Sequence, residues 1–161
     1  MPTPDFILAL RDKVGTMPLW LSGAAAVVVR DRQDAGGEEV LLVQRSDTLE
    51  WTPVTGIVDP GEEPAVTAVR ECLEEACVVA RADRLVWVTV SPVITYANGD
   101  ESQYLELVFR CSWVSGEPAV GDDESVDARW FPVDALPPMS DRHAERVRLA
   151  LANAPETVFT R

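Results

Sequence analysis

The stretch GIVDPGEEPAVTAVRECLEEACV, residues 56–78, changes the period of the chain. From Glu63 on, Ala65, Val69, Cys72, Leu73 and Ala76 fall at i, i+4, i+7, i+8 and i+11, the spacing of one apolar stripe on a helix. Pro64 suits the first turn of that helix, where its missing N–H has no intrahelical partner to lose. Asp59-Pro60-Gly61 ahead of it predicts a tight turn. The segment therefore reads as an extended piece, a turn, and a helix ending near Ala76.

The same segment holds six acidic residues and a single basic one, Arg70. On a helix Glu71, Glu74 and Glu75 share a face, at i, i+3 and i+4, expected to lie beside the apolar stripe rather than within it. Like charges at this spacing cost roughly 0.2–0.5 kcal/mol per exposed pair, and each ionised neighbour raises the pKa of the next. A divalent cation reverses both effects. Hard oxygen ligands with no imidazole among them suit Mg²⁺ or Mn²⁺. Arg70 is the one local fork-shaped donor and can hold a carboxylate such as Glu62 bidentately. A solvated acidic helix is the plain alternative for a run like ECLEE; the wider spaced pattern argues against it.

Outward from the helix, residues 4–14 have helical character, with Phe6, Leu10 and Val14 on one side. LWLSGAAAVVVR (19–30) predicts a buried strand, DRQDAGGEE a polar turn, and VLLVQR (40–45) the hairpin partner. SDTLEWTP is a loop and VTGIV a short extended piece. Beyond the helix, RLVWVTVSPVITY and QYLELVFRCSWV flank the turn signal Asn98-Gly99-Asp100, VDARWFP predicts a strand, and residues 140–153 predict a closing helix. Strands on both sides of one central helix, with a terminal helix, indicate a mixed α/β or α+β fold without a domain boundary.

The composition limits what such a fold can do. The 161 residues are 47% hydrophobic and 25% charged, with a formal net charge of −13. That charge repels extended nucleic acid and anionic membranes, and no apolar run approaches the roughly 20 residues of a membrane span. The N-terminus lacks the pattern of a signal peptide, so a cytoplasmic location is expected. Three cysteines without a Cys-x-x-Cys pair, and a single His, argue against a disulfide framework and against a zinc site.

The spaced pattern resembles the signature of Nudix hydrolases: Gly, five residues, Glu, seven residues, then Arg-Glu-aliphatic-any-Glu-Glu-any-Gly-aliphatic. Gly56, Glu62, Arg70, Glu71, Leu73, Glu74, Glu75 and Val78 stand in register, with Cys72 at the first aliphatic position and Cys77 at the final Gly. The resemblance implies an α/β/α sandwich with a mixed sheet, a single domain over 1–161 with a short N-terminal helical extension. It implies Mg²⁺-dependent hydrolysis (Mn²⁺ serving as well) of a nucleoside diphosphate linked to a group X, such as ADP-ribose or a nucleoside triphosphate. By position, Glu71, Glu74 and Glu75 correspond to metal-binding carboxylates, with Glu71, Glu74 and Arg70 in catalytic roles and Gly56, Gly61 and Glu62 shaping the motif. A further Glu from a distant loop is expected, and Glu124 in GDDESVDARWF is the candidate, with Asp122 and Asp123 as substitutes.

Two departures stand out. Cys77 replaces a Gly expected to be left-handed, at a cost of roughly 1–2 kcal/mol, and reads as an inert, buried thiol. Thr55 stands where many relatives have another Gly. The substrate is less defined. The motif SQPWPFP is absent, and Pro92 and Tyr96 lie near, but not at, positions that would mark ADP-ribose or dinucleoside polyphosphates. Arg45 is a candidate phosphate contact and Tyr96 or Trp51 a candidate base platform, although a salt bridge and core packing are the simpler roles. His143, in DRHAER, reads as a surface residue. The implied partner is a small nucleotide, with a homodimer left open. The alternative is a non-catalytic nucleotide-binding regulatory module of the same fold; an RNA-decapping enzyme is disfavoured by the charge.

Overall fold

The computed structural model describes residues 3–32 and 36–160. Part of the polar turn expected at 31–39, residues 33–35, lies outside the described residues. Strand β1 (Leu19–Asp31) is central, pairing antiparallel with β2 (Glu38–Arg45) and β4 (Val54–Ile57) and parallel with β7 (Glu101–Ser115). Antiparallel to β7 runs β5 (Val79–Val90), and β8 (Ser125–Pro132) lies antiparallel to β2. Two parallel pairs, β1 with β7 and β5 with a short last strand at Val158–Phe159, inside an otherwise antiparallel arrangement make the sheet mixed.

The run GAAAVVV shows why the fold has three layers. Ala24 to Val29 are all at most 5% exposed, so β1 is covered on both faces rather than alternating core and solvent. On one face Ala24, Ala26 and Val28 pack with Ala68, Cys72 and Ala76 of helix α2 (Pro64–Ala76). On the other, Ala25, Val27 and Val29 pack with Val147, Leu149 and Ala150 of helix α3 (Asp141–Ala152). Helix α1 (Asp5–Val14) closes the open end of the sheet, its Ile7 against Leu19, Leu21 and Tyr104.

Several expectations shift. On α1 the inward residues are Phe6, Ile7 and Val14, while Leu10 is 40% exposed. Arg11 shares that inward side, because its guanidinium donates to the Gly15, Met17 and Glu101 carbonyls. The long extended segment after α2 is split: β5 starts at Val79, ends at Val90, and β6 (Ile94–Thr95) follows a break at Ser91-Pro92-Val93. Trp51–Thr52 forms a short β3 on β2, and Val158–Phe159 adds β9 to β5. Among the described residues no helix is long and apolar enough to cross a membrane.

Candidate active site

The turn into α2 forms as its residues require. Glu62 N–H donates to Asp59 O at 2.9 Å, with Pro60 and Gly61 between them and Gly61 at φ 88°, a conformation that favours glycine. The C-terminus closes on Cys77 at φ 58°, ψ 23°: its N–H reaches Leu73 O, and Val78 N–H reaches Cys72 O at 3.2 Å. The Cys77 bond is the one that closes a left-handed helix end, a position that usually recruits Gly, and Cys72 and Val78 are both fully buried in the same core cluster. Cys77 itself is exposed, correcting the expectation of a buried thiol; Cys72 and Cys111 are the buried ones, and burial pushes the Cys111 thiol up to about 12.

The face of α2 that meets the sheet differs from the apolar stripe. Its buried positions are Thr67, Ala68, Glu71, Cys72, Glu75 and Ala76, while Leu73 is 54% exposed. The helix thus turns two acidic residues inward and one leucine outward. Glu71 fits because Gly56 on β4 has no side chain; a Cβ there would sit 2.2 Å from the Glu71 carboxyl group. Burial pushes Glu71 up to about 7, with the Glu74 and Glu124 charges adding and Arg70 opposing. Burial likewise pushes Glu75 up to about 8, aided by Glu124, Glu71 and Asp122 and opposed by Arg45. The hydrogen bond Glu75 accepts from Ser125 Oγ is long, at 3.4 Å.

Arg70 ties the motif together. Its Nε and Nη2 grip Glu62 at 2.9 and 3.0 Å, and its Nη1 reaches Glu71 and Glu74, both at 2.9 Å. The guanidinium beside Glu62 holds that carboxyl down at about 2. Among the described residues no three His, Cys, Asp or Glu side chains are already gathered at metal-binding distances. The donor set itself fits a hard divalent cation: carboxylate oxygens, two of them desolvated and only partly balanced by positive charge.

Glu124 is brought to this cluster, its charge bearing on both buried acids. The loop carrying it is docked on α2: Ala119 N–H donates to Ala76 O at 3.1 Å and Gly121 N–H to Glu75 O at 3.0 Å. A Cβ on Gly121 would lie 1.9 Å from Glu74 O, so only glycine permits this approach. The far side of the loop is held by Ser46, whose N–H donates to Glu124 O and whose Oγ donates to Asp123 O. Gly121, Ser46, Ser125 and Thr67 were not expected from the sequence. A glycine opening GDDES was the available signal, since a residue without a side chain permits a close backbone approach.

Of the substrate candidates, Arg45 is gripped bidentately by Asp47, at 2.8 and 2.6 Å, yet its charge still acts on Glu75 and on Tyr96. Tyr96 is 40% exposed and its hydroxyl shares a 2.7 Å hydrogen bond with Tyr104. Trp51 packs edge-on against Phe131 at 4.8 Å, a core role. His143 is not a surface residue: its side chain is 16% exposed, Nδ1 lies 3.2 Å from Thr52 Oγ1 and 2.8 Å from Arg146 Nη1. Burial and that arginine push it down to about 4.

Comparison with known proteins agrees with this arrangement. A family model described as NUDIX domain matches residues 20–151. The NAD-capped RNA hydrolase NudC of Pseudomonas aeruginosa is 35% identical over 106 residues, 64% of this chain but 35% of that protein, so the chain spans about a third of that relative's length. A CMP-5'-(N-acetyl-N-hydroxy-3-aminopropyl)phosphonate hydrolase of Streptomyces rubellomurinus is 32% identical over 120 residues, 70% of this chain and 52% of that one. Among solved structures, an ADP-ribose pyrophosphatase of Streptococcus suis superposes with a TM-score of 0.61 at 22% identity, covering 86% of this chain and 96% of its own. With the domain matched along most of its length and the acidic helix in place, the chain belongs to the Nudix hydrolase family.

Proposed function

We propose that the protein hydrolyses the pyrophosphate linkage of a small nucleoside diphosphate derivative, using Mg²⁺ or Mn²⁺ held by Glu71, Glu74, Glu75 and Glu124. The observation that carries this reading is the inward turn of Glu71 and Glu75, two buried carboxylates on one helix face with raised pKa values. A stable fold gains nothing from burying like charges, so such a pair points to a function. When bound, the cation would offset phosphate charge and make a coordinated water easier to deprotonate.

The chain's own residues then divide the remaining work. Arg70, fixed by Glu62, orients Glu71 and Glu74. Glu75 or Glu124 accepts the proton of the attacking water, since both stand at the same cluster. Arg45, beside Glu75, meets a phosphate oxygen, and the half-exposed Tyr96 offers a face to the base. The relatives' names, an NAD-capped RNA hydrolase and a CMP-phosphonate hydrolase, both concern a nucleotide joined to a second group. The net charge of −13 favours a free nucleotide over the RNA portion of a capped transcript.

The test is product release over a panel of ADP-ribose, NADH, dinucleoside polyphosphates and nucleoside triphosphates. Each is run with and without Mg²⁺, on the parent and on Glu75→Gln. Metal-dependent turnover of one class, reduced at least about 100-fold in the variant, is the expected result. Nucleotide binding without turnover would replace the enzyme with a regulatory binding module.

A further inference from the structure

Thr67 lies outside the charged positions of the motif, in the first half of α2, with its side chain fully buried. A threonine inside a helix has a ready partner in the carbonyl four residues back. Here that carbonyl, Glu63 O, accepts the Thr67 amide at 3.1 Å, and the hydroxyl instead leaves the helix and donates to Glu62 Oε2 at 2.6 Å. The bond is shorter than either of those Glu62 accepts from Arg70. It adds a side-chain donor to that carboxylate beside the two that come from Arg70.

The consequence is a relay of fixed groups. Arg70 spends Nε and Nη2 on Glu62, so the plane of that carboxylate fixes the plane of the guanidinium. The guanidinium plane in turn fixes Nη1, which bridges Glu71 and Glu74. We infer that Thr67 is a positioning residue of the hydrolytic site: its hydroxyl sets the Glu62 carboxylate, and through it the Arg70 contacts that orient Glu71 and Glu74. The inference rests on those glutamates serving the site proposed above.

Thr67→Val keeps shape and removes the hydroxyl; Thr67→Ser keeps the hydroxyl. Both are compared with the parent, alone and in a Glu62→Gln background, by Mn²⁺ titration calorimetry, kcat and KM on the substrate identified by the panel, and thermal unfolding. Thr67→Val is expected to weaken Mn²⁺ binding and lower kcat by about fivefold each, less than the full loss of one hydrogen bond to a charged group because the effect reaches the metal-binding carboxylates only through Glu62 and Arg70. KM should change little, Thr67→Ser should stay within about twofold, and Thr67→Val should add nothing once Glu62 is Gln. Parent-like Mn²⁺ affinity and kcat in Thr67→Val, or full additivity with Glu62→Gln, would overturn the inference. If no substrate is turned over, the proposed activity fails while the Mn²⁺ titration still decides the role of Thr67. A parent that binds no Mn²⁺ removes both.

Discussion

Glu71 and Glu75 put carboxylates where water cannot solvate them, and the protein compensates with Arg70 and Arg45 only in part. Their spacing could be read from the sequence; their burial could not. Counting apolar positions made Leu73 a core residue and the acids a flanking face, whereas the missing side chain of Gly56 lets Glu71 turn inward and Leu73 turn out. The folded-state values of about 7 and about 8 lie above the ordinary 4.5. Between pH 6.5 and 8, above the range in which His143, held down to about 4 in the fold, is protonated in the unfolded chain, the folded metal-free protein therefore binds more protons than the unfolded chain, and stability falls as pH rises through that window. Thermal unfolding in chelator should show a melting temperature that drops across this range, and saturating Mg²⁺ should flatten the drop. A melting temperature that climbs with pH in chelator would contradict it.

At the scale of elements, α2 is specified by its ends. The Asp59–Glu62 turn and Pro64 start it, and both could be read directly from the sequence. Its C-terminus keeps the glycine geometry without the glycine, because the burial of Val78 and two backbone bonds over-determine the conformation of Cys77. Cys77→Gly should then raise stability by about 1 kcal/mol, part of the left-handed penalty being offset by the greater freedom of unfolded glycine. Calorimetry should register this as a rise of about 2–4 °C in melting temperature. Equal or lower stability would mean that the exposed Cys77 side chain contributes contacts worth more than the strain. The docked loop of Gly121 and Glu124 was only half legible: the acids named it, but its attachment depends on carbonyls left free by the end of α2, which no residue pattern announces.

Across the whole molecule, the order of elements followed from apolar runs and turn signals; the three-layer arrangement was implied by the family resemblance alone, and its physical reason is a β1 buried on both faces. What escaped was how the layers are joined by polar groups. Glu106 on β7 receives Arg142 and Arg146 of α3, each at 2.7 Å, and Arg146 is only 4% exposed. These residues are distant in sequence, so nothing local marks them as partners, and the same cluster draws His143 inward. Removing one partner of such a buried ion pair strands the other charges. Glu106→Ala should cost about 3–5 kcal/mol by denaturant titration, while Mn²⁺ affinity is retained because α2 packs on the opposite face. A cost below about 1 kcal/mol would show the pair behaving as a surface bridge.

The central claim, that Glu71 and Glu75 are buried in order to receive a cation, is tested most directly by proton release. Mn²⁺ is titrated calorimetrically into the protein at pH 7 in two buffers of different ionisation enthalpy. At that pH a carboxylate raised to about 7 is about half protonated and one raised to about 8 about nine-tenths, so binding should expel roughly one proton or more per site. The release should fall in Glu75→Gln. Binding without proton release, or no binding by the parent, would contradict the account.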